Sequence, residues 1–299
     1  PNCLVSTLRD VEPFDPPFGA ERPIVGPAEC SRSAVGESTM CKAGDVTVNP
    51  VAAGGFSSAA ATYARIRPTY ARGAIGAIKA LCPNGASVLD VAAGTGILSG
   101  QLVRAGLDVA AVEPLDAMAR QLRLSLPEVA LTRCVAEALA VRGRSIDLIS
   151  VGQGFHWFDV DRALSEAARV LRPGGVLALV WNVRDESVPW VDELTQLVEE
   201  RTGGRPYDDH RERPWSEVVA ESGLFDAVVV QRFPNPIRTD IDGVVDRLRS
   251  TSFVAMLDDG ARESLVAEAR RLLATHPELV GSFDYPHHTV LHTCRSSIR

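Results

Sequence analysis

The chain is organised around the sequence Ser87-Val88-Leu89-Asp90-Val91-Ala92-Ala93-Gly94-Thr95-Gly96. Its first half, residues 88–92, predicts a short buried strand of the kind found in parallel sheets. A tight turn of small residues follows, and the next nine residues, 97–105, have the apolar spacing of a helix. A strand, a glycine turn and a helix in this order are typical of the first unit of a nucleotide-binding α/β fold.

The two glycines of the turn favour a ligand that lies against the backbone. A side chain at Gly94 or Gly96 would keep the ligand away, and glycine also permits a positive φ there. Free N–H groups at the start of the following helix would face that ligand.

Two carboxylates flank this turn. Asp90 ends the first predicted strand, and Glu113 ends the second, Asp108 to Val112. A carboxylate at the second position suits the paired hydroxyls of a ribose, whereas two carboxylates together would repel a pyrophosphate. The dinucleotide fingerprint G-x-G-x-x-G also fails, because Ser99 stands where its third glycine belongs. A nicotinamide-dependent oxidoreductase is therefore a disfavoured alternative, and a ligand with a cationic end and a ribose is preferred.

These motifs resemble those of the class I S-adenosylmethionine-dependent methyltransferases, within the small-molecule (type 11) group that includes trans-aconitate methyltransferase and the ubiquinone-type enzymes. That family's pattern, Asp/Glu-x-Gly-x-Gly-x-Gly, corresponds here to Asp90–Gly96, with Ala92 in place of the first glycine. The resemblance runs from about Phe56 to the C-terminus. Its further matching segments are Tyr63–Pro68, Glu113–Met118, Ala136–Leu139, Phe155–Phe158 and Leu171–Gly175.

The resemblance implies an α/β fold with a doubly wound, seven-stranded, mostly parallel sheet. The strand Thr289–Thr293 is expected to run antiparallel between the strands that begin near Val176 and Ala227. We expect a methyltransferase domain over residues 46–299, with helical cap elements at about 56–81 and 183–287. The upstream cap element is expected to carry Tyr63, Arg67 and Tyr70 near one helix face.

Residues 1–45 differ from the rest of the chain, since they hold several prolines and no apolar periodicity. We interpret them as a loosely ordered extension. Met40 is a hypothetical biological start, which N-terminal mass spectrometry of the natural protein would test.

The resemblance also implies S-adenosylmethionine as the cofactor, and residues that hold it. Glu113 is expected to bind the ribose hydroxyls, and Asp90 to act near the methionine ammonium. Tyr63 would cover the methionine end, and Arg67 would pair with its carboxylate. The other expected cofactor contacts are Ala92, Gly94, Gly96, Pro114, Met118, Ala136, Glu137 and Gln153.

The loop after the fourth predicted strand contains Phe155-His156-Trp157-Phe158. His156 is the candidate catalytic residue, either as a general base or as a group that orients an acceptor oxygen. A packing role beside its aromatic neighbours is the alternative. The tetrad Asp/Asn-Pro-Pro-Tyr/Phe is absent from this loop, which disfavours nucleobase and glutamine acceptors.

Composition excludes several other functions. A net charge of −7 without a Lys/Arg run argues against nucleic-acid binding, and the six cysteines form no C-x-x-C pair that would suggest a metal site. No apolar run reaches the roughly 18 residues of a membrane span. We therefore expect a cytoplasmic enzyme that methylates a small-molecule carboxylate, hydroxyl or carbon, with no metal and an unknown oligomeric state. The alternative is a non-catalytic S-adenosylmethionine-binding regulator.

Overall fold

A seven-stranded sheet forms the centre of the protein in a computed structural model that describes residues 67–204 and 214–298. Its strands are β1 Ser87–Val91, β2 Asp108–Val112, β3 Ala130–Thr132, β4 Ile146–Gly152, β5 Leu171–Arg184, β6 Val229–Pro234 and β9 His287–Arg295. A separate two-stranded sheet pairs β7 Ile237–Thr239 with β8 Phe283–Tyr285.

The helices between these strands are α1 Arg72–Leu81, α2 Ile97–Arg104, α3 Asp116–Ser125, α4 Val160–Val170, α5 Pro189–Thr202, α6 Trp215–Glu221, α7 Ile241–Arg249, α8 Ser252–Ala255 and α9 Asp259–Ala274. Single 3-10 turns cover Phe155–Trp157 and Pro277–Leu279. Within the two described ranges, no helix combines the length and the apolar character needed to cross a membrane.

The strand order of the large sheet is β3-β2-β1-β4-β5-β9-β6. The first five strands are parallel, and β9 runs antiparallel between β5 and β6. The predicted fold, including the position of the antiparallel strand, is confirmed. The chain turns back between β1 and β4, and in open α/β sheets ligands bind in the crevice at the carboxyl ends of the strands at such a point.

Helices cover both faces of the sheet because its central strands are apolar on both sides. On one face, Ile78 of α1 and Leu102 of α2 pack against Val88 and Leu148. On the other face, Leu164 of α4 packs into a cluster with the remaining strand side chains. A third core joins α5, α7 and α9, which gives the expected helical cap from the C-terminal insertion.

Within the described residues, the upstream cap element is helical only from Arg72. The segment Arg67–Ala71 is irregular, and α1 starts at Arg72; the expected shared helix face of Arg67 and Tyr70 is therefore wrong. Pro68 disfavours helical backbone at Arg67. The described segment is instead held by side chains: Tyr70 N–H donates to Gln101 Oε1 at 2.8 Å, and Ala71 N–H donates to Thr289 Oγ1 at 2.8 Å. The expectations for residues 1–45 and Tyr63 lie outside the described residues.

Candidate active site

A cavity lies at the carboxyl ends of β1, β2 and β4, and we call it the first cavity. The glycine turn forms one wall, and the loop after β4 forms the opposite wall. Its lining includes Tyr70, Asp90, Ala92, Gly94, Thr95, Glu113, Pro114, Met118, Ala136, Glu137, Gln153, Trp157 and Phe158. Most of the residues expected to bind the cofactor are thus brought together in one place.

Glycine is needed at the two positions of the turn for different structural reasons. Gly94 has φ 58°, and a Cβ placed there would meet no atom within 4 Å, so its backbone faces open space in the cavity. Gly96 has φ 86°, but a Cβ there would lie 2.9 Å from Leu126 Cδ1. Gly96 therefore permits close packing of the turn and is not among the cavity-lining residues, unlike the sequence-based expectation.

Glu113 ties the glycine turn to the end of β2. Its Oε2 accepts a hydrogen bond from Gly94 N–H at 2.8 Å, and its Oε1 accepts one from Leu115 N–H at 2.8 Å. The side chain is buried, and this burial raises the pKa of the carboxyl although both N–H groups lower it. Each oxygen retains a second lone pair, so the carboxylate can organise the turn and still accept hydrogen bonds from a ligand.

Asp90 lies behind the turn and is fully buried. Its Oδ2 accepts from Ser99 Oγ at 2.5 Å, and its Oδ1 accepts from Ser150 Oγ at 2.8 Å. Burial raises the pKa of this carboxyl to about 6 despite the two hydroxyl groups. Beside it, the buried Thr95 Oγ1 has no hydrogen-bond partner among the described residues. A polar ligand in the first cavity would meet both groups.

Some site residues differ from the sequence-based expectation. Arg67 lines a different cavity, and its Nη2 donates to the backbone oxygen of Ser250 at 3.3 Å. Tyr70, Trp157 and Phe158 line the first cavity but were not assigned to cofactor binding. The signal for the last two was their position in the same loop as His156.

The second cavity, of about 750 Å³, lies between the sheet and the cap, and Gln153 lines both cavities. His156 faces the second cavity, whereas Trp157 and Phe158 face the first. The loop after β4 thus forms part of both walls. Gln153 has φ 58°, and its Nε2 donates to the backbone oxygen of Asn182 at 3.2 Å, which fixes it at this boundary.

Charged side chains are frequent in the wall of the second cavity. Among the described residues they are four arginines, Arg67, Arg184, Arg232 and Arg247, and two acids, Asp185 and Glu186. Asp185 already accepts hydrogen bonds from Ser187 N–H and Oγ, which lower the pKa of its carboxyl. The wall therefore has an excess of positive charge, which would attract an anion.

Four aromatic residues of the C-terminal region, Trp190, Trp215, Phe253 and Tyr285, differ in position. Trp215 and Tyr285 line the second cavity. Trp190 instead packs in the cap core, with its ring centroid 5.7 Å from that of Phe283 and 5.0 Å from that of Tyr285. The side chain of Phe253 is not among those described. In the described part of the chain, no three His, Cys, Asp or Glu residues are grouped as a metal site would require.

The fold and the first cavity are those of an α/β protein with a ligand site at the switch point of its sheet. Comparison with known proteins shows which family of such proteins this chain belongs to. Residues 89–179 match the family model of the methyltransferase domain. An uncharacterized methyltransferase of Mycobacterium tuberculosis is 39% identical over 228 residues, which cover 76% of this chain and 88% of that protein. A malonyl-acyl-carrier-protein O-methyltransferase of Methylococcus capsulatus is 39% identical over 132 residues, or 41% of this chain and 48% of that protein.

Solved structures agree with this grouping. One from Anaeromyxobacter dehalogenans, provisionally assigned as a type II methyltransferase, has a TM-score of 0.57 and 26% identity, and the match covers 77% of this chain and 96% of that chain. A phosphoethanolamine N-methyltransferase of Haemonchus contortus, solved with S-adenosylhomocysteine, has a TM-score of 0.52 at 16% identity, with 85% and 61% covered, and supports the fold alone. The chain therefore belongs to the class I S-adenosylmethionine-dependent methyltransferases. Use of S-adenosylmethionine is implied by that family.

Proposed function

We propose that this enzyme binds S-adenosylmethionine in the first cavity and methylates a small molecule held in the second. The observation that carries the proposal is the shared boundary of the two cavities at Gln153 and the adjoining loop. Methyl transfer requires the acceptor to lie in line behind the methyl group. Two cavities with a shared boundary allow this arrangement.

The residues of the first cavity suit the cofactor. Gly94 leaves open space for a ligand beside the backbone, and Glu113 presents free lone pairs toward ribose hydroxyls. Asp90 supplies a buried carboxylate for the cationic amino-acid end, and Met118 an apolar surface for the adenine. When bound, the cofactor supplies a methyl group on a sulfonium, which is already activated for displacement.

The protein's contribution is therefore mainly orientation and exclusion of water. Well-aligned pairs reach effective molarities of about 10⁵–10⁸ M without further catalysis. Tyr70, Trp157 and Phe158 enclose the first cavity. Gln153, fixed by its hydrogen bond to Asn182, borders both cavities where the cofactor and the acceptor would meet.

The charges of the second cavity favour a carboxylate acceptor over a hydroxyl or a carbon. Four arginines against two acids would hold an anion. A carboxylate has no proton to lose before methylation, so His156 would orient the acceptor and not act as a base. A hydroxyl or carbon acceptor would instead require His156 to take a proton.

The test has two parts. Titration calorimetry with S-adenosylhomocysteine measures cofactor-site binding, and incubation with methyl-labelled S-adenosylmethionine and a cell extract measures transfer. We expect binding and a labelled small molecule, with the label released by mild base if it is an ester. Binding without any transfer would contradict the proposal and favour a regulatory protein. Label found only in macromolecules would contradict the small-molecule acceptor.

A further inference from the structure

His287, the first residue of β9, is a buried histidine in the wall of the second cavity that the proposed reaction does not use. Its Nδ1 lies 3.1 Å from the backbone oxygen of Tyr285. A carbonyl oxygen can only accept, so Nδ1 must carry the proton. In the neutral ring, Nε2 is then an acceptor with a lone pair.

The surroundings keep this ring neutral. Burial, together with the smaller effects of the Arg247 and Arg184 charges, lowers the pKa of His287 to about 3, although the hydrogen bond to Tyr285 opposes them. The neighbouring His288 acts in the same direction as the arginines. Asp185, the nearby acid, is directed to Ser187 and to His288, whose Nδ1 is 3.8 Å away. His287 therefore presents an acceptor and not a positive charge at neutral pH.

Among the residues that the structure describes, none donates a hydrogen bond to Nε2 of His287. Two arginines act on this ring through their charges, and the Nη1 of one of them, Arg184, donates to Thr195 Oγ1 at 3.4 Å. Arg184 is the residue opposite His287 in the β5–β9 pairing, and the Arg247 guanidinium lies 5.9 Å from the centre of the Tyr285 ring, which in turn is 4.3 Å from the His287 ring. Arginine only donates hydrogen bonds. This part of the wall therefore combines donors for an anion with one acceptor.

We propose that His287 is a specificity-determining residue, and that it selects an anionic acceptor molecule that also carries a hydroxyl group. The arginines would hold the carboxylate, and Nε2 would accept a hydrogen bond from the hydroxyl. An ammonium group could also donate to Nε2, but the adjacent arginines disfavour a second cation. A carboxylate oxygen facing Nε2 would set two lone pairs against each other. The proposal rests on the proposed function, because it concerns the molecule held in the second cavity.

Matched acids that differ by one hydroxyl test this selection: malate with succinate, citrate with tricarballylate, and 3-hydroxybutyrate with butyrate. Dissociation constants are measured by calorimetry on the full chain saturated with S-adenosylhomocysteine. For at least one pair, we expect the hydroxylated member to bind about tenfold more tightly, the value of one hydrogen bond to a buried partner. Equal affinities within every pair, or no binding of any of the six acids, would overturn the proposal.

Three variants assign any preference to this residue. His287→Phe should bind both members of a pair equally, and His287→Gln, which keeps an acceptor oxygen, should retain part of the preference. His276→Phe is the matched control, because His276 is a histidine of the cap that lines neither cavity and should keep the wild-type preference. A preference that survives in His287→Phe would refute the assignment. Should His287→Phe fail to fold, the smaller His287→Leu takes its place: it removes the acceptor, and a preference as large as that of His276→Phe would refute the assignment. Failure of the proposed function would differ, because the wild type would then transfer no label to any small molecule of the extract.

Discussion

The two cavities of this enzyme draw on the chain in different ways. Apart from Tyr70, the first is lined by turns, strand ends and neighbouring side chains within residues 90–158. The second depends on long side chains, among them Arg67, Arg184 and Arg247, that come from distant parts of the chain. A site formed by a continuous turn leaves a local sequence motif, while a site formed by scattered side chains does not. The difference explains why the motifs that resemble a large family lie at the first cavity, whereas no local motif marks the second.

Glu113→Ala would disturb the first cavity most. The variant loses a ligand-facing carboxylate and leaves the N–H groups of Gly94 and Leu115 without their acceptor. Hydrogen bonds to charged groups contribute about 1.5–3 kcal/mol, so we expect S-adenosylhomocysteine to bind roughly 10- to 150-fold more weakly by calorimetry. Glu113→Gln keeps the shape and should lose less, and the exposed Glu128→Ala should lose nothing. Unchanged affinity in folded Glu113→Ala would show that backbone groups alone bind the cofactor.

Asp90→Asn tests whether the buried carboxylate lowers the free energy of unfolding while it strengthens ligand binding. Burial raises the pKa of Asp90 from 3.8 to about 6, so the unfolded chain releases this proton at a lower pH than the folded protein does. The wild type therefore loses stability as the pH rises from about 4 to 6, by about 3 kcal/mol at 1.4 kcal/mol per pKa unit. An asparagine at position 90 does not ionise and therefore loses no stability as the pH rises. The two serine hydroxyls can reorient to form hydrogen bonds with it.

We accordingly expect apo Asp90→Asn to exceed the wild type in free energy of unfolding at pH 7.5, by urea denaturation, while binding S-adenosylhomocysteine more weakly. The stability advantage should shrink as the pH is lowered to about 4. An advantage that does not change with pH would mean that the ionisation of Asp90 is not its source.

His156 tests whether the second cavity supplies chemistry or only position. Its ring lies 4.8 Å from that of Trp157, tilted by 53°, which suits an orienting role. With the labelled acceptor identified, we expect His156→Gln to retain more than about a tenth of the wild-type kcat, because a carboxylate acceptor needs no base. A loss of about 10²-fold or more, together with loss of the low-pH limb of the rate profile, would establish a general base instead.

Ala92→Gly should have the smallest effect and concerns the turn alone. Ala92 has φ 55°, a conformation that costs a non-glycine residue about 1–2 kcal/mol, partly offset by the greater chain entropy of glycine when unfolded. We expect a rise in unfolding free energy of up to about 1 kcal/mol, measured as a small increase in Tm. Ala93→Gly is the matched control, since Ala93 lacks a positive φ, and it should lower Tm. A lower Tm in both variants would show that Ala92 is not strained.

Much of the fold could be predicted from the sequence because its signals are local. The apolar strand around Asp90, the small-residue turn and the carboxylate at Glu113 all lie between positions 88 and 113, and the structure places them at one cavity. The position of β9 came from the family topology and was also confirmed.

The second cavity could not be predicted in this way. Nothing near Arg184 or His287 in the sequence indicates that the two are neighbours, since their meeting depends on antiparallel pairing across about a hundred residues. The irregular segment before α1 could not be placed from the sequence, because the side chains of Gln101 and Thr289, far along the chain, hold its backbone. Likewise, the need for glycine at position 96 comes from its close contact with Leu126, which only the packing of the folded chain creates.

The place of β9 also has a consequence for how the chain acquires its structure. β9 follows β6 in sequence but lies between β5 and β6 in the sheet, where it pairs with both. During synthesis on the ribosome, β6 therefore has no neighbour in the sheet until β9 has emerged. The parallel strands β1–β5 leave the ribosome first and can pair earlier. The pairing of β9 with β5 and β6 must wait for the end of the chain and joins strands far apart in sequence, which is intrinsically slow. The cofactor side of the enzyme is thus expected to form first, and a nascent chain paused before β9 would expose the edge of β5.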